Sequence, residues 1–241
     1  MDSQRMETGV KGKVVAITGG FGNLGVATAA WLAARGARVA LIGHGAVPAP
    51  DAMPEGLSNA LAIGGVDLAD AAAARQALDA VNAQLGGLDA LLNIAGAFRW
   101  ETIADGDPAT WDLMFELNVK TALNASRAAL PHLLRGNAGR IVNIGAGAGQ
   151  KAGLGMGAYA AAKAGVARLT EALAEELKDK GVTVNAILPS IIDTPQNRKD
   201  MPDADFTRWV APAEIAALVG FLLSADARAI TGASIPVNGR V

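Results

Sequence analysis

Short apolar runs alternate along the chain with longer, alanine-rich segments. The run 13–18 (KVVAIT) and the run 37–43 (ARVALIG) have the length and the Val/Ile/Leu content of buried strands, and the segment between them has the length of a helix. Because strand–helix–strand alternation joins parallel strands by crossovers, the pattern predicts an α/β fold with a doubly wound parallel sheet of about seven strands and helices on both faces. The predicted strands are 13–18, 37–43, 60–68, 88–96, 139–145, 182–189 and 233–239, and the predicted helices are 25–36, 69–87, 107–136, 157–181 and 212–224.

Three segments depart from this regular pattern. The helix 107–136 contains Pro131, which predicts a break near that residue. The segment 189–211 is rich in Pro, Asp and Arg and is too long for an ordinary connection, so we predict a substrate loop or lid there. Residues 1–10 have no apolar stretch and are predicted to be a flexible tail. The remaining length fits a single domain, 1–241.

Composition and charge narrow the classes of partner. The net charge of −2 argues against nucleic acid and against anionic membranes. No apolar run approaches the ~18 residues of a membrane span. We therefore expect a cytoplasmic protein that acts on a small molecule.

Few side chains can take part in acid–base or metal chemistry. The chain has no cysteine and two histidines, His44 and His132, which are far apart in sequence, so a Cys/His zinc site is not expected. It has one tyrosine, Tyr159. A neutral proton donor in this chain therefore has few candidates besides Tyr159.

A glycine-rich stretch, TGGFGNLG (18–25), lies between the first predicted strand and the first predicted helix. Glycines at such a turn let the backbone approach a pyrophosphate, and the helix N-terminus offers free N–H groups and a positive dipole. The stretch predicts dinucleotide binding, although an ordinary glycine-rich turn would look similar.

The order of motifs resembles the short-chain dehydrogenase/reductase family, whose members have a Rossmann-type fold. Thr18, Gly19 and Gly25 match its TGxxxGxG motif, and Asn23 replaces the middle glycine; asparagine tolerates positive φ, so we expect the turn to survive. NIAG (93–96), NVKT, YAAAK and ITGASIPVNG follow in the family's order. The resemblance implies a cofactor site of Thr18, Gly19, Phe21, Asn23, Leu24, Gly25, Gly43, His44, Asp67, Leu68, Asn93, Ala95, Gly96, Tyr159, Lys163, Pro189, Ile192 and Thr194.

The end of the second predicted strand bears on the choice of cofactor. A carboxylate there would bind the ribose 2′-hydroxyl and repel a 2′-phosphate, but this chain has Gly43 followed by His44. The sequence therefore favours NADPH over NADH, with His44 either contacting the phosphate or lying in solvent.

The segment YAAAK indicates the catalytic centre. Tyr159 and Lys163 are four residues apart, which places them on one face of a helix. The resemblance implies that Tyr159 is the general acid, that Lys163 lowers the pKa of Tyr159 and binds the nicotinamide ribose, and that Asn118 holds the water molecule that links Lys163 to solvent. The alternative is a structural phenol at the start of a helix.

One member of the family's catalytic set is missing. The resemblance places a serine 13 residues before the tyrosine, where this chain has Ala146. Loss of one oxyanion donor typically costs ~10²–10³ in rate. Three explanations are open: a degenerate or engineered enzyme, a replacement donor such as Ser190, or an acceptor that is already reactive.

The stretch IDTPQNRKDMPDADFTRW (192–209) resembles the corresponding loop of dihydropteridine reductases, short-chain relatives that also have alanine in place of the serine. This likeness implies hydride transfer to an activated C=N or quinonoid acceptor, such as a pterin, an imine or a quinone-like compound, with Tyr159 as proton donor. The alternatives are a general carbonyl or 3-oxoacyl reductase with a serine-less site and a non-catalytic NAD(P)-binding protein. Family resemblance further implies a homodimer or homotetramer.

Overall fold

The computed structural model describes residues 9–136 and 138–241, so the predicted tail 1–10 lies almost entirely outside the described residues. Seven parallel strands form one sheet in the order β3-β2-β1-β4-β5-β6-β7. Together with helices on both faces, this confirms the predicted doubly wound fold. The strands are β1 (Val14–Thr18), β2 (Arg38–Ile42), β3 (Leu61–Ile63), β4 (Ala90–Asn93), β5 (Arg140–Ile144), β6 (Thr183–Pro189) and β7 (Ser234–Val237).

Within residues 9–136 and 138–241, seven α-helices flank or extend this sheet. Strand residues pointing to one face join a buried cluster with the first and last helices, and those pointing to the other face join a cluster with three of the middle helices. Apolar runs without polar alternation are expected for strands covered on both faces. No helix in the described ranges is long and apolar enough to cross a membrane. The helices are α1 (Asn23–Ala33), α2 (Ala71–Leu85), α3 (Pro108–Phe115), α4 (Thr121–Leu133), α5 (Gly157–Leu177), α6 (Pro195–Asp200) and α7 (Pro212–Leu223).

The strand order reverses at the centre of the sheet. β1 pairs with β2 on one side and with β4 on the other, so the connections after β1 and β4 leave in opposite directions. Such a switch point opens a crevice at the carboxyl ends of the strands. The glycine-rich turn after β1 and the NIAG segment after β4 both lie at this edge.

The long helix predicted over 107–136 is interrupted, but not at Pro131. A π-helical turn, Glu116–Lys120, separates α3 from α4, whereas Pro131 lies inside α4 close to its end. The side chain of Asn118 donates from Nδ2 to the carbonyls of Met114 (2.9 Å) and Ala97 (3.0 Å). A side chain that enters the backbone ladder in this way is an established cause of such turns. The predicted break near Pro131 was wrong.

The segment 189–211 has structure of its own. Its two ends are joined by backbone hydrogen bonds from Asp193 N–H to the Val210 carbonyl (2.8 Å) and from Val210 N–H to the Ile191 carbonyl (3.0 Å). Within it, Arg198 donates from Nε and Nη2 to both oxygens of Asp193, at 2.6 and 2.7 Å. Asn197 Nδ2 donates to the Ile192 carbonyl (2.7 Å). These bonds fold the segment onto itself beside the carboxyl end of β6.

Candidate active site

The turn after β1 can be built only with glycine at two positions. Gly19 has φ +64°, and a Cβ added to it would lie 2.8 Å from the Ala95 nitrogen. A Cβ on Gly25 would lie 2.3 Å from the Gly19 carbonyl oxygen. The hydroxyl of Thr18 accepts hydrogen bonds from Ile94 N–H (3.1 Å) and Ala95 N–H (3.2 Å). The backbone after β1 and the backbone after β4 are thereby held in contact.

Asn23 does not need the positive φ that the sequence suggested. It is the first residue of α1, Gly22 is the N-cap, and no described residue other than glycine has positive φ. The start of α1 has neither a side-chain cap nor an acidic residue in its first turn. Its first N–H groups are therefore available to an anion such as a pyrophosphate.

A groove of about 420 Å³ runs from this helix start along the edge of the sheet. It passes over the tight glycine turn and the start of α1, and its mainly apolar walls suit the adenosine and nicotinamide of a dinucleotide. The uncapped start of α1 and the apolar walls of the groove therefore suit a dinucleotide cofactor. Of the residues predicted to bind the cofactor, the groove is lined by Gly19, Asn23, Leu24, Gly25, His44, Asp67, Leu68, Ala95 and Gly96.

Other residues predicted to bind the cofactor lie outside this groove. The Phe21 ring packs on Gly43. Thr194 caps α6 by accepting from Asn197 N–H at 3.2 Å. Thr18 is buried beneath the turn, and Asn93 is buried in the core. These residues shape the walls of the groove or the loop beside it.

A second cavity of about 250 Å³ adjoins the groove at the ends of β5 and β6. It is lined by all four residues predicted for the catalytic centre: Tyr159, Lys163, Asn118 and Ala146. Pro189 and Ile192, predicted as cofactor contacts, also line it, together with Gly96 and Leu24, which it shares with the groove. The structure thus brings the predicted catalytic set together at one end of the groove.

Lys163 is held at the floor of this cavity. Its Nζ donates to the Ile144 carbonyl at 2.9 Å, and a Cβ on Gly96 would lie 3.2 Å from that Nζ and 2.6 Å from Asn118 Oδ1. Only 5% of Lys163 is exposed, and burial lowers its pKa from 10.5 to about 8. Burial disfavours the charged form, so this ammonium group stays protonated at neutral pH but loses its proton at a lower pH than an ordinary lysine does.

Burial acts in the opposite direction on Tyr159. It raises the pKa of the phenol from 10.0 to about 12, so the prediction that Lys163 lowers this pKa does not describe the net effect. The Lys163 Nζ lies 5.8 Å from the centre of the ring and is bonded to the Ile144 carbonyl instead. Tyr159 is consequently protonated at neutral pH, as a proton donor must be.

Phe98 is a residue of this cavity that the sequence did not indicate. Its ring stands at 90° to that of Tyr159, with the ring centres 5.0 Å apart. More than half of Phe98 is exposed. An edge-to-face pair of this kind fixes the orientation of the phenol and leaves an apolar side chain at the mouth of the cavity.

A buried polar network supports the floor of the cavity. Asn93 Nδ2 donates to Asn143 Oδ1 (2.8 Å) and Ser126 Oγ (3.0 Å), and Asn143 Nδ2 donates to Thr170 Oγ1 (2.8 Å). It connects β4 and β5 to α4 and α5. Because Ile144 follows Asn143 directly, the network fixes the carbonyl that binds Lys163.

Among the described residues, the cavity contains no free replacement for the missing serine. Ala146 is buried in its wall, and the hydroxyls that these residues bring to the lining are those of Tyr159 and Ser190. Ser190 Oγ already donates to the Asn238 carbonyl at 2.7 Å. Its single proton is therefore used, and Ser190 could polarise a substrate only after that bond breaks.

Comparison with known proteins agrees with this geometry. The family model described as short chain dehydrogenase matches residues 13–205. The chain belongs to the short-chain dehydrogenase/reductase family. As a member of this family it is an NAD(P)-dependent oxidoreductase.

Named members of the short-chain family resemble the chain over nearly its whole length. It is 33% identical to acetoacetyl-CoA reductase from Allochromatium vinosum, with 94% of this chain and 97% of the relative covered. It is 34% identical to the 3-oxoacyl-[acyl-carrier-protein] reductase FabG of Vibrio cholerae, with 95% and 97% covered. Carveol dehydrogenase from Mycobacterium avium, solved in complex with NAD, superimposes with a TM-score of 0.84 at 30% identity, with 96% and 98% covered. The two relatives compared by sequence are 3-oxoacyl reductases, which favours the carbonyl-reductase alternative over the predicted likeness to dihydropteridine reductases.

Proposed function

We propose that the chain is an NAD(P)H-dependent reductase of a 3-oxoacyl-type carbonyl. The observation that carries this proposal is the placement of Tyr159 and Lys163 together in a cavity at the end of the dinucleotide groove, where burial raises the pKa of Tyr159 and keeps it protonated. The similarity to acetoacetyl-CoA and 3-oxoacyl reductases supports this substrate class. A non-catalytic binding protein would have no use for an acid held in this position.

When bound, the nicotinamide supplies a hydride to the carbonyl carbon. Tyr159 donates its phenolic proton to the carbonyl oxygen, so the products are an alcohol and a phenolate. Lys163, held by the Ile144 carbonyl, places a positive charge near that phenolate and favours its formation. Phe98 packs edge-to-face against the Tyr159 ring and so holds its orientation beside the cavity.

A 3-oxoacyl substrate also suits a cavity without the serine. Its ketone lies two carbons from an electron-withdrawing thioester carbonyl, which makes the ketone more electrophilic than a simple one. Less hydrogen bonding is then needed to stabilise charge on the oxygen. The cost of ~10²–10³ in rate for a lost donor is accordingly smaller than for an unactivated ketone.

The hydroxyl-free wall at Ala146 favours one second candidate, reduction of an activated C=N or quinonoid acceptor such as a pterin, an imine or a quinone-like compound.

A panel of acceptors tests both candidates. NADH and NADPH oxidation is measured with a 3-oxoacyl thioester, quinonoid dihydropterin, a cyclic imine and a simple ketone. We expect the thioester to give the highest kcat/KM. Turnover of the dihydropterin alone would replace the first proposal by the second.

Restoring the serine is expected to change substrate preference. Ala146→Ser should raise kcat/KM for a simple ketone ~10–100-fold, because it adds a donor at the developing oxyanion. Activated acceptors should change less than about threefold, since they depend less on that donor. Ala148→Ser, two residues further on and outside the cavity lining, is the matched control. Equal gains on all acceptors would show that the missing hydroxyl does not select substrate.

We propose a homo-oligomer, dimer or tetramer, for which the surface of α3 gives support. Trp111 and Phe115 lie four residues apart on one face of this helix and are both exposed. Light scattering after size exclusion should give a multiple of the chain mass for the native protein and a smaller species for Trp111→Asp/Phe115→Asp. Leu134→Asp, which changes an exposed leucine elsewhere, should leave the mass unchanged. A monomeric native protein would contradict this proposal.

The single-domain organisation 1–241, the role of 189–211 as a substrate lid and a cytoplasmic location remain predictions. A backbone hydrogen bond between Asp193 and Val210 joins the two ends of 189–211. We therefore expect the segment to move as one unit.

A further inference from the structure

The Phe21 ring occupies the space beside Gly43. A Cβ added to Gly43 would lie 2.2 Å from Cδ2, 2.5 Å from Cε2 and 2.9 Å from Cγ of that ring. Gly43 does not have positive φ, so its backbone conformation would accept other residues. What excludes a side chain at position 43 is the phenyl ring, not the dihedral angles.

The backbone at Gly43 is also fixed. Its N–H donates to the Ile63 carbonyl (3.0 Å) and its carbonyl accepts from Val66 N–H (3.1 Å). The ring belongs to the turn after β1 and packs against the core cluster beneath it. A side chain at position 43 could therefore be accommodated only by moving Phe21.

Position 43 has a defined chemical meaning in this fold. A carboxylate at the end of β2 binds the ribose hydroxyls of NAD and repels the 2′-phosphate of NADP. Among the described residues that line the groove, His44 is the single basic side chain, and no Lys or Arg is present to pair with a phosphate. Asp67, the one carboxylate among the described lining residues, follows β3 and accepts from Ala69 N–H (2.9 Å), so the end of β2 itself carries neither a carboxylate nor a Lys or Arg.

We propose that Phe21 determines dinucleotide selection by occupying the space of the acidic side chain, so that the site binds NAD and NADP with similar affinity. This inference rests on the dinucleotide-binding role of the groove. It assigns to Phe21 a steric role in which the ring excludes a carboxylate and thereby removes discrimination against the 2′-phosphate.

The test is a double-mutant cycle on the purified protein, read by calorimetric binding of NAD⁺ and NADP⁺ and by the melting temperature without nucleotide. We expect the native Kd values to agree within about tenfold, because the end of β2 carries neither a carboxylate to repel the 2′-phosphate nor a Lys or Arg to pair with it. Gly43→Asp alone should lower the melting temperature and weaken both nucleotides, since the ring blocks the new side chain. Phe21→Ala/Gly43→Asp should regain NAD⁺ binding. Its ratio of the NADP⁺ Kd to the NAD⁺ Kd should be at least about tenfold higher than the ratio of the native protein.

Phe21→Ala/Gly43→Ala is the matched control, because it makes the same space without adding charge. It should be more stable than Gly43→Ala alone and should leave the Kd ratio at its native value. The proposal is overturned if Gly43→Asp alone acquires NAD⁺ preference without loss of stability, or if the native Kd values differ by more than about a hundredfold, which is ~3 kcal/mol. If the native protein binds neither nucleotide, the proposed function itself fails, whereas the melting temperatures still report the steric exclusion.

Discussion

Replacing Tyr159 by phenylalanine is expected to lower kcat for carbonyl reduction by about 10³-fold or more. A positioned general acid typically contributes about 10²–10⁴-fold in rate. Among the described residues of the cavity, Tyr159 carries the one hydroxyl whose proton is not already donated to the protein. Burial raises the pKa of this phenol to about 12, so it is fully protonated at pH 7 and its loss removes the proton source.

Dinucleotide binding supplies the control for this variant. The hydroxyl makes no contact that builds the groove, so the Kd for the oxidised cofactor should stay within about threefold, well under the ~1.4 kcal/mol of a tenfold change. Steady-state kinetics with the best acceptor of the panel measure kcat. A residual kcat within tenfold of the native value would mean that another group donates the proton. Adding Ser190→Ala to this variant would then test whether Ser190 is that group.

Because Tyr159 is the only tyrosine of the chain, phenolate absorbance reports on this residue alone. The midpoint of ionisation in the folded protein is expected above the 10.0 of an ordinary tyrosine, near 12. Subtraction of the Tyr159→Phe spectrum removes every other contribution. A midpoint at or below 10 would show that a neighbouring positive charge outweighs burial.

The sheet and the glycine turn could be predicted from the sequence because their signals are local. Strands buried on both faces appear as uninterrupted apolar runs. A turn that must approach another backbone within 3 Å accepts glycine alone, so Gly19 and Gly25 stand out in the sequence. The same holds for Tyr159 and Lys163, whose spacing puts them on one helical face.

Features that join distant parts of the chain could not be predicted in this way. The interruption between α3 and α4 depends on Asn118 reaching the backbone of Ala97, so the local cue at Pro131 was misleading. The pairs Phe98–Tyr159 and Phe21–Gly43 likewise join residues far apart in sequence. The raised pKa of Tyr159 depends on burial, which no short motif encodes.

The resemblance of 192–209 to dihydropteridine reductases is explained by the loop itself. Asp193 pairs with Arg198, Asn197 binds the Ile192 carbonyl, and the Arg198 guanidinium lies 4.9 Å from the centre of the Phe206 ring. The matching residues thus bond mainly to one another. A shared motif of this kind indicates a shared loop architecture and does not determine which acceptor enters the cavity.

The charged Lys163 is expected to lower the free energy of unfolding at neutral pH. Its pKa falls from 10.5 in an ordinary lysine to about 8, which corresponds to about 3 kcal/mol of penalty on the charged form. Below pH 8 the folded and unfolded states both carry the proton, and the penalty is complete. Between pH 8 and 10 the folded state releases this proton while the unfolded state keeps it, so the free energy of unfolding rises with pH. Tyr159 opposes this rise only above pH 10, where the unfolded phenol ionises first.

Lys163→Met should therefore raise the free energy of unfolding at pH 7 by about 1–2 kcal/mol, after about 1 kcal/mol is subtracted for the hydrogen bond lost at the Ile144 carbonyl. The same variant should lose nearly all turnover. Urea unfolding at pH 7 and pH 9.5 measures both the gain and its pH dependence: the native protein becomes more stable at the higher pH and the variant does not. Lys199→Met, at an exposed lysine of α6, should match the native protein at both pH values. A variant less stable than the native protein at pH 7 would show that the Ile144 carbonyl and its neighbours fully compensate the buried charge, and that this lysine stabilises the site in which it acts.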